Sequence, residues 1–369
     1  MDTVAEFSRR RFLTQASYMG AFYAIAGSIS LKGLSASLSD DPRISATPIV
    51  DAGFASVRKI GEGAYATISD TSKGLTTMCN GGFVAGKDAA LLVEGFVTAN
   101  GAAFQMQALG KVSQVPAAGA LDTHYHFDHS CGNSFYGANG IQLWAHAAVG
   151  KRIIESYQAM QSAEKSTILG PLDKKVQEAK SDVVKQHAQG DVNALSGVVD
   201  IVKKTTLTLP NRPLDPAKLP LSVDLGGYPI VIEHFPGHSG TDLIVRVPEQ
   251  KVVYTGDLLF NSMYPVCFDE KATVSGWRAT LKTFASYDKD TIFVPGHGQI
   301  CGQEGIALLR SVFDDLSEQG EKMHKSGVPV AEAGDRYVVP ETFKTVGIWA
   351  WGFTIGPAIT KLYAELGTR

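Results

Sequence analysis

Four side chains of metal-ligand type lie within six residues of one another. The segment 121–133, LDTHYHFDHSCGN, contains His124, His126, Asp128 and His129. Neutral imidazole nitrogens and carboxylate oxygens together suit zinc and related first-row metals. The whole chain has only nine histidines, so a chance cluster of three of them is a weak explanation. The segment therefore predicts a metal site.

Strand geometry predicts how these ligands are divided. The motif follows a short apolar run that is typical of a strand, and side chains alternate between the two faces of a strand. His124, His126 and Asp128 are therefore expected to point the same way. His129 breaks the alternation, so it is expected to come from a turn and to face a second centre. The alternating Tyr125 and Phe127 are expected to face the core.

Three further segments offer one ligand each, at the end of a strand and beside glycine. They are PGHSGTD at 236–242 with His238, YTGDLLF at 254–260 with Asp257, and PGHG at 295–298 with His297. Glycine beside a ligand lets the backbone turn sharply and approach a metal closely. Each segment alone is a weak signal. With the first motif they supply seven candidate ligands, enough for two metals with one shared carboxylate and open positions for water.

The elements that must position these ligands follow from hydrophobic patterning. Short apolar or alternating runs broken by glycine predict successive antiparallel strands from 57 to 96, and a helix follows near 99–110. Later strands are expected at 141–145, 221–235, 243–247, 252–255 and 291–295. Later helices are expected at about 275–287 and 303–325.

Residues 147–205 differ in character from their surroundings. Lys, Glu, Gln and Ala dominate there, and apolar residues recur at helical spacing, which predicts two or three inserted helices. The insertion is either a solvated outgrowth or a cap over the metal site, and the sequence leaves both open. The tail at 341–366 is rich in aromatic residues and is expected to be helical or mixed, packed on the body or at the mouth of the site.

Bulk composition limits the classes of function. The 369 residues are 44% hydrophobic and 19% charged, which is ordinary for a globular protein with a substantial core. A net charge of −3 without a basic block argues against a nucleic-acid partner. The four cysteines form no C-x-x-C pair, so they indicate neither a disulfide framework nor a thiolate zinc site, although two disulfides remain arithmetically open.

The N-terminus is expected to be a targeting segment. The basic run SRRRFL at 8–13 precedes an apolar stretch at 18–31 that is short for a membrane span, as in a secretory signal. Adjacent arginines followed by Phe-Leu resemble a twin-arginine signal, whose partner would be the bacterial export machinery for folded proteins. Small residues at 35–37 permit cleavage, but an uncleaved membrane tether or a basic amphipathic helix remain alternatives. A periplasmic or otherwise exported location is the expectation.

The ordered ligand set H-x-H-x-D-H, then His, Asp and His, resembles the metallo-β-lactamase-fold hydrolase superfamily over residues 57–325. That resemblance implies an α+β fold, a four-layer αββα sandwich with the dinuclear site along one edge of the sheets. It also implies that His124, His126 and His238 hold metal one, that Asp128, His129 and His297 hold metal two, and that Asp257 bridges them. Together with the signal expected at 1–36, the predicted domains are a metallo-β-lactamase-like domain at 50–330 with its helical insertion at about 147–205, and a helical and aromatic extension at 331–369.

Two departures refine the resemblance. Glu94 stands where many members have an aspartate that supports the site. True metallo-β-lactamases have cysteine or serine at the bridging position, whereas Asp257 resembles the glyoxalase II and lactonase branches. The insertion at 147–205 lies in mid-chain, which differs from the C-terminal domain of glyoxalase II.

The predicted activity is that of an exported hydrolase with two zinc ions per chain, with iron or manganese as alternatives. A metal-bridged hydroxide, oriented by Asp128, would attack the carbonyl of an ester, thioester, lactone or amide. Three alternatives stay open. One is a mononuclear iron enzyme that oxidises a persulfide through His124, His126, His238 and Asp257. The others are β-lactam hydrolysis and a non-catalytic domain that binds a metal or a partner.

Several other residues are given structural roles. His146 and His234 are expected to be packed, hydrogen-bonded histidines, and Cys131 a small buried thiol. Asp242 is expected to accept hydrogen bonds from loop amides or from a ligand histidine. His187 and His324, in charged helical segments, are expected to be solvated.

Overall fold

The computed structural model describes residues 33–367. The signal segment predicted at 1–36 lies outside these residues except for its last four positions. Among the described residues, no helix combines the length and the apolar character that a membrane span requires.

The strands and helices are as follows in chain order. The strands are β1 Val50–Asp51, β2 Ala55–Gly61, β3 Ala64–Ser69, β4 Gly81–Ala85, β5 Ala90–Val93, β6 Ala117–Leu121, β7 Leu143–His146, β8 Arg212–Leu214, β9 Leu221–Asp224, β10 Pro229–His234, β11 Leu243–Val247, β12 Val252–Phe260 and β13 Ile292–His297. The helices are α1 Ala99–Val112, α2 Phe127–Ser130, α3 Asn133–Ala138, α4 Val149–Ile153, α5 Ala159–Ser162, α6 Lys165–Glu178, α7 Asp182–Val202, α8 Val274–Phe284, α9 Gln303–Lys325, α10 Val330–Arg336 and α11 Ile355–Leu366.

The strands form two sheets. The first has eight strands in chain order from β1 to β8, antiparallel up to β5 and parallel from β5 to β8. The second has five strands in the order β13-β12-β11-β10-β9, antiparallel except for the parallel pair β12 and β13. The metal motif follows β6, a parallel strand, so it lies at the carboxyl edge of the parallel part of the first sheet.

Alternation along the strands explains the layers. In β12, Val252 and Tyr254 pack in a core cluster shared with the first sheet, whereas Val253 packs in another with α8, α9 and α11. In β5, Leu91 joins the shared cluster and Leu92 packs in a third cluster with residues of α1. Since both faces of these strands are buried, β5 and the first three residues of β12 are continuous apolar runs. The order of layers is helix, sheet, sheet, helix, which confirms the predicted sandwich.

The insertion between β7 and β8 is helical and differs along its length. Val149 of α4 and Val202 of α7 pack in a fourth cluster with Tyr125 and Phe127 of the metal motif. The helix α6, in contrast, has no buried residue. The insertion therefore covers the motif with α4 and α7 and presents α6 to solvent.

Two strand predictions need correction. The strand predicted at 221–235 is a hairpin, because Gly226 and Gly227 both have positive φ and Asp224 Oδ1 accepts hydrogen bonds from the amides of residues 226 and 228. The strand predicted at 252–255 continues to Phe260, so Asp257 lies within a strand and does not follow one. Gly256 has φ +51° at a register shift between β12 and β13, which lets the strand bend there and continue.

Candidate metal centre

The first motif leaves the sheet before its ligands begin. Strand β6 ends at Leu121, so His124 and His126 lie in a loop, and Asp128 and His129 lie in α2. His126 is the N-cap residue that precedes α2, and its carbonyl accepts from the His129 amide at 3.0 Å. The expectation that His124, His126 and Asp128 point the same way was wrong for Asp128, which groups with His129 and His297, because strand alternation does not continue past residue 121. His124 and His126 do face the same point. Tyr125 and Phe127 are buried, as predicted.

Three histidines converge on one point. His126 Nδ1 is 3.1 Å from His124 Nε2 and 2.8 Å from His238 Nε2, and the two Nε2 atoms are 3.2 Å apart. Asp257 Oδ2 is 3.3 Å from His238 Nε2. Nitrogens that bind one tetrahedral zinc ion at 2.0–2.1 Å are about 3.3 Å apart. The spacing of these nitrogens is close to that of a filled metal site.

A second group lies beside the first. His297 Nε2 is 3.0 Å from Asp128 Oδ2, and His129 Nε2 is 3.6 Å from the same oxygen. Asp257 Oδ1 is 3.2 Å from His129 Nε2 and 3.4 Å from His297 Nε2. The two oxygens of Asp257 therefore face one group each. The structure brings all seven predicted ligands together in this arrangement.

The donor set and its surroundings fit metal ions. Asp257 Oδ1 and His129 Nε2 lie 3.2 Å apart, and both are buried without a well-directed hydrogen bond. Buried polar atoms in that situation are costly unless a ligand such as a cation satisfies them. Room for the carboxylate depends on Gly296, since a Cβ there would clash with Asp257 Oδ1. His297 is the most exposed of the ligands, with 15% of its side chain accessible, and marks the open side.

The two groups differ in electrostatics. Burial, reinforced by the neighbouring imidazoles, lowers the pKa of His124 and brings that of His238 to about 3. Burial also opposes the charged form of His297, but Asp257 and Asp128 outweigh it and raise the pKa to about 9. The pKa of His129 is raised as well, because burial is again outweighed by neighbouring acidic groups. Without metal, His124 and His238 therefore present free lone pairs, whereas His129 and His297 hold protons.

Supporting contacts orient the ligand rings. The Val266 carbonyl lies 2.9 Å from His238 Nδ1, so Nδ1 donates and Nε2 is left as the metal donor. Asp242 Oδ2 accepts from the amides of His238 and Ser239 at 3.0 and 2.9 Å, one of the roles predicted for it.

Glu94 supports both groups at once. Its Oε1 is 3.1 Å from His129 Nδ1 and accepts a hydrogen bond of 2.7 Å from Thr123 Oγ1, which is itself 3.1 Å from His124 Nδ1. Glu94 has φ +83°, a backbone conformation that non-glycine residues adopt rarely and at a cost of about 1–3 kcal/mol. This backbone conformation directs the Glu94 carboxylate to His129 and Thr123. Glu94 thus takes the supporting position for which the resemblance implies an aspartate.

One supporting residue, Asp269, was missed by sequence reasoning. Its buried Oδ2 lies 3.4 Å from His126 Nε2 and accepts hydrogen bonds from Tyr125 Oη at 2.5 Å and Arg152 Nη2 at 2.8 Å. Arg152 belongs to α4, so an ion pair joins the insertion to the carboxylate behind a predicted ligand. No local signal marks Asp269, because it has neither glycine nor histidine beside it in the sequence.

The remaining histidines and cysteines lie outside the two groups. The rings of His146 and His234 are 5.1 Å apart, and His146 Nδ1 accepts from the Ala148 amide. His187 was predicted to be solvated, but it is half-buried and stacked on Trp351 with ring centroids 3.8 Å apart. His324 is likewise packed, 5.1 Å from the ring of Tyr363. All four cysteines, Cys131 among them, are buried free thiols, so neither disulfide forms.

Comparison with known proteins identifies the family of the fold. The family model described as Metallo-beta-lactamase superfamily matches residues 75–297. Similar solved structures include a metallo-beta-lactamase from Pontibacter korlensis, with TM-score 0.46 and 14% identity over 73% of this chain and 98% of that chain. The DIM-1 metallo-beta-lactamase is similar with TM-score 0.47 and 15% identity over 70% of this chain and 97% of that chain. A double mutant of the sec-alkyl sulfatase PisA1 matches over 90% of this chain with TM-score 0.56 and 15% identity. The match covers about half of the sulfatase chain, 54% of its length. A search of curated proteins found no match. At these identities the structural likenesses indicate the fold alone.

We expect the two groups to bind metal with different pH dependence. Metal binding must displace the protons of His297 and His129, so the affinity of the second group should rise by at least about tenfold per pH unit as the pH rises from about 6.5 to about 9. The affinity of the first group should change little over that range, because His238 is already neutral. Zinc titration against a chromophoric chelator across this range measures both affinities. Parallel pH dependence of the two would contradict the assignment.

Replacing the carboxylate behind His126 should weaken metal binding. Asp269→Asn keeps the shape but removes the charge that faces His126 Nε2, and loss of such a partner typically costs about 10–100-fold in affinity. Chelator competition measures the change, and thermal unfolding checks that the variant is folded. Asp288→Asn, at an exposed ion pair with Lys251, is the matched control. Equal affinity of the two variants would rule out the positioning role.

Proposed function

The chain belongs to the metallo-beta-lactamase superfamily, and from that membership we propose that it is a hydrolase that uses two zinc ions per chain. The observation that carries the proposal is the position of Asp257, with one oxygen toward each group of ligands. Nitrogen and carboxylate donors without thiolate suit zinc, with iron or manganese as alternatives.

The residues divide the work of hydrolysis among them. Bound zinc would lower the pKa of water to roughly 7 and polarise a substrate carbonyl. His124, His126 and His238 would hold one ion, and His129, His297 and Asp128 the other, with Asp257 fixing their separation. Asp128 lies against His297 on the open side. Burial would raise the pKa of Asp128, but His129 and His297 stabilise the carboxylate and the pKa is lowered. The Asp128 carboxylate is therefore ionised and can accept a hydrogen bond from the attacking water, which orients it toward the carbonyl.

The substrate class that we propose is an ester, thioester, lactone or amide. An aspartate at the bridging position resembles the glyoxalase II and lactonase branches more than the true metallo-β-lactamases. The main rival is a mononuclear iron enzyme that oxidises a persulfide. That reaction would need only His124, His126, His238 and Asp257, and the convergence of Asp128, His129 and His297 on the other oxygen of Asp257 favours the hydrolase.

Metal removal and one substitution test the proposal. We expect about two zinc ions per chain by elemental analysis, no turnover after chelation, and recovery on adding zinc. His126→Ala should lose metal and reduce turnover by on the order of a hundredfold or more. His146→Ala, outside the two groups, is the control for replacing a histidine.

The substrate panel should contain thioesters, lactones, carboxylic esters, a β-lactam and a secondary alkyl sulfate, with oxygen uptake measured alongside. Full metal content and turnover in His126→Ala would overturn the ligand assignment. One iron per chain with oxygen consumption would establish the rival. An inactive Asp128→Asn protein beside an active parent would exclude a domain that only binds metal.

We also propose that the protein is exported in the folded state through a twin-arginine signal. The first described residues bear on its processing, because they are built into the domain. Leu34 forms a β-bridge with Ile300, the hydroxyls of Ser35 and Ser37 donate to Glu304 Oε1 at 2.7 and 2.6 Å, and Leu38 is buried in the core. Cleavage at 35–37 would remove the contacts of Leu34 and Ser35, so the proposed cut lies before residue 33, or the tether is retained.

The mass of the exported protein tests this processing. We expect an N-terminus at or before Gly33, measured by intact mass of the periplasmic or membrane fraction. Replacing Arg9 and Arg10 together by lysine should keep the protein in the cytoplasm if the twin-arginine route is used. A mature N-terminus beyond residue 36 would contradict the proposed cut, and unchanged export of the lysine variant would contradict the route.

A further inference from the structure

The aromatic tail is fixed to the loop that follows β12. The Gly347 amide donates to the Ser262 carbonyl at 2.9 Å, and the Tyr264 amide donates to the Gly347 carbonyl at 2.7 Å. Further along, the Cys267 amide donates to the Phe353 carbonyl at 2.8 Å. These backbone bonds hold residues 347–353 against the same loop that carries Val266 and Asp269, the partners of His238 and His126. The tail is thus positioned by the scaffold of the site itself.

Three aromatic rings extend from a metal-ligand candidate toward the insertion. The Phe268 ring stacks on the ring of His126, with centroids 5.0 Å apart and planes at 22°. Phe353 meets Phe268 edge-on at 5.3 Å, and Trp349 lies 5.1 Å from Phe353. Trp349 also packs against the cluster that contains Tyr157 of the insertion. We call Phe268, Phe353 and Trp349 the aromatic wall.

The first ring of the aromatic wall is presented to solvent. Phe268 is 39% exposed, whereas its neighbours Cys267 and Asp269 are 1% and 2% exposed. The buried carboxylate that follows Phe268 in the chain, Asp269, is neutralised by an ion pair of 2.8 Å with Arg152. An exposed aromatic ring that lies on a ligand histidine has no packing reason to face water, and an apolar group placed against it would remove both surfaces from water.

We propose that the aromatic wall is an apolar subsite that binds the acyl chain of the substrate. This inference rests on the proposed hydrolase function, because it places the reacting carbonyl at the metal centre. The chain would start from the carbonyl carbon beside His126 and run over Phe268 toward Phe353 and Trp349. The substrates are then esters, thioesters, lactones or amides of medium-chain acyl groups, in preference to acetyl compounds.

A chain-length series tests the subsite through turnover. Acetyl and octanoyl p-nitrophenyl esters are compared on zinc-loaded wild-type and Phe268→Ala protein. The wild type should favour the octanoyl ester by at least about tenfold in kcat/KM, and Phe268→Ala should lower that ratio by about tenfold. The matched control is Leu209→Ala, since Leu209 is also an exposed apolar residue, with 41% of its surface accessible. It lies near Asn211, which contacts Leu143 at the start of β7, whereas the metal motif lies at the other, carboxyl edge of the sheet. The control should keep the wild-type ratio.

Product binding tests the subsite without turnover. Octanoate should bind zinc-loaded protein at least about tenfold more tightly than acetate does, measured by tryptophan fluorescence with Trp349→Phe to identify the reporter. Phe268→Ala should lose the difference. Equal chain-length ratios in wild type and Phe268→Ala, or equal binding of octanoate and acetate, would overturn the subsite. If no carbonyl substrate of the panel is hydrolysed, the proposed function fails, and the octanoate preference still decides the subsite.

Discussion

The constraint on which this molecule depends is the burial of seven polar ligands at one edge of two facing sheets. Asp257 is 4% exposed, and its two oxygens lie between imidazoles whose other nitrogens are held by Glu94, by the Val266 carbonyl or by Asp269. Burying so many polar atoms is costly unless their directions are fixed and a cation satisfies them. The strained backbone of Glu94 and the close approach of Gly296 are features of a scaffold that meets this demand.

Much of the fold could be predicted from the pattern of apolar residues in the sequence, because that pattern reflects which faces of an element are buried. Both faces of β5 and of the first part of β12 are covered, so Ala90–Val93 and Val252–Tyr254 are unbroken apolar runs. The helix α9 spans the predicted 303–325 because its apolar residues recur on one face. The ligands were likewise visible because histidine and aspartate beside glycine stand out against such runs. The direction of each ligand was less predictable. The chain turns into α2 within five residues of leaving β6, and Asp128 therefore joins His129 and not His124.

Contacts between residues that are far apart in the chain could not be predicted from the sequence. Asp269 reaches His126 only because the loop after β12 folds back over the motif, 143 positions away, and no neighbouring residue signals it. His187 looked solvated because its own helix is polar, yet Trp351 supplies the ring that covers it. Such pairings depend on how the tail docks, which one sequence does not encode locally.

The insertion and the tail meet the site at the same ligand. Arg152 of the insertion pairs with Asp269 behind the His126 ring, and Phe268, held to the tail, stacks on the face of that ring. Histidine position is sensitive to both kinds of contact, because a hydrogen bond fixes the nitrogen direction and a stacked ring fixes the plane. The parts that would select a substrate are therefore the parts that orient His126. If the proposed function holds, substrate choice and metal binding are expected to be coupled in this chain, because changes in the insertion or tail would act on both.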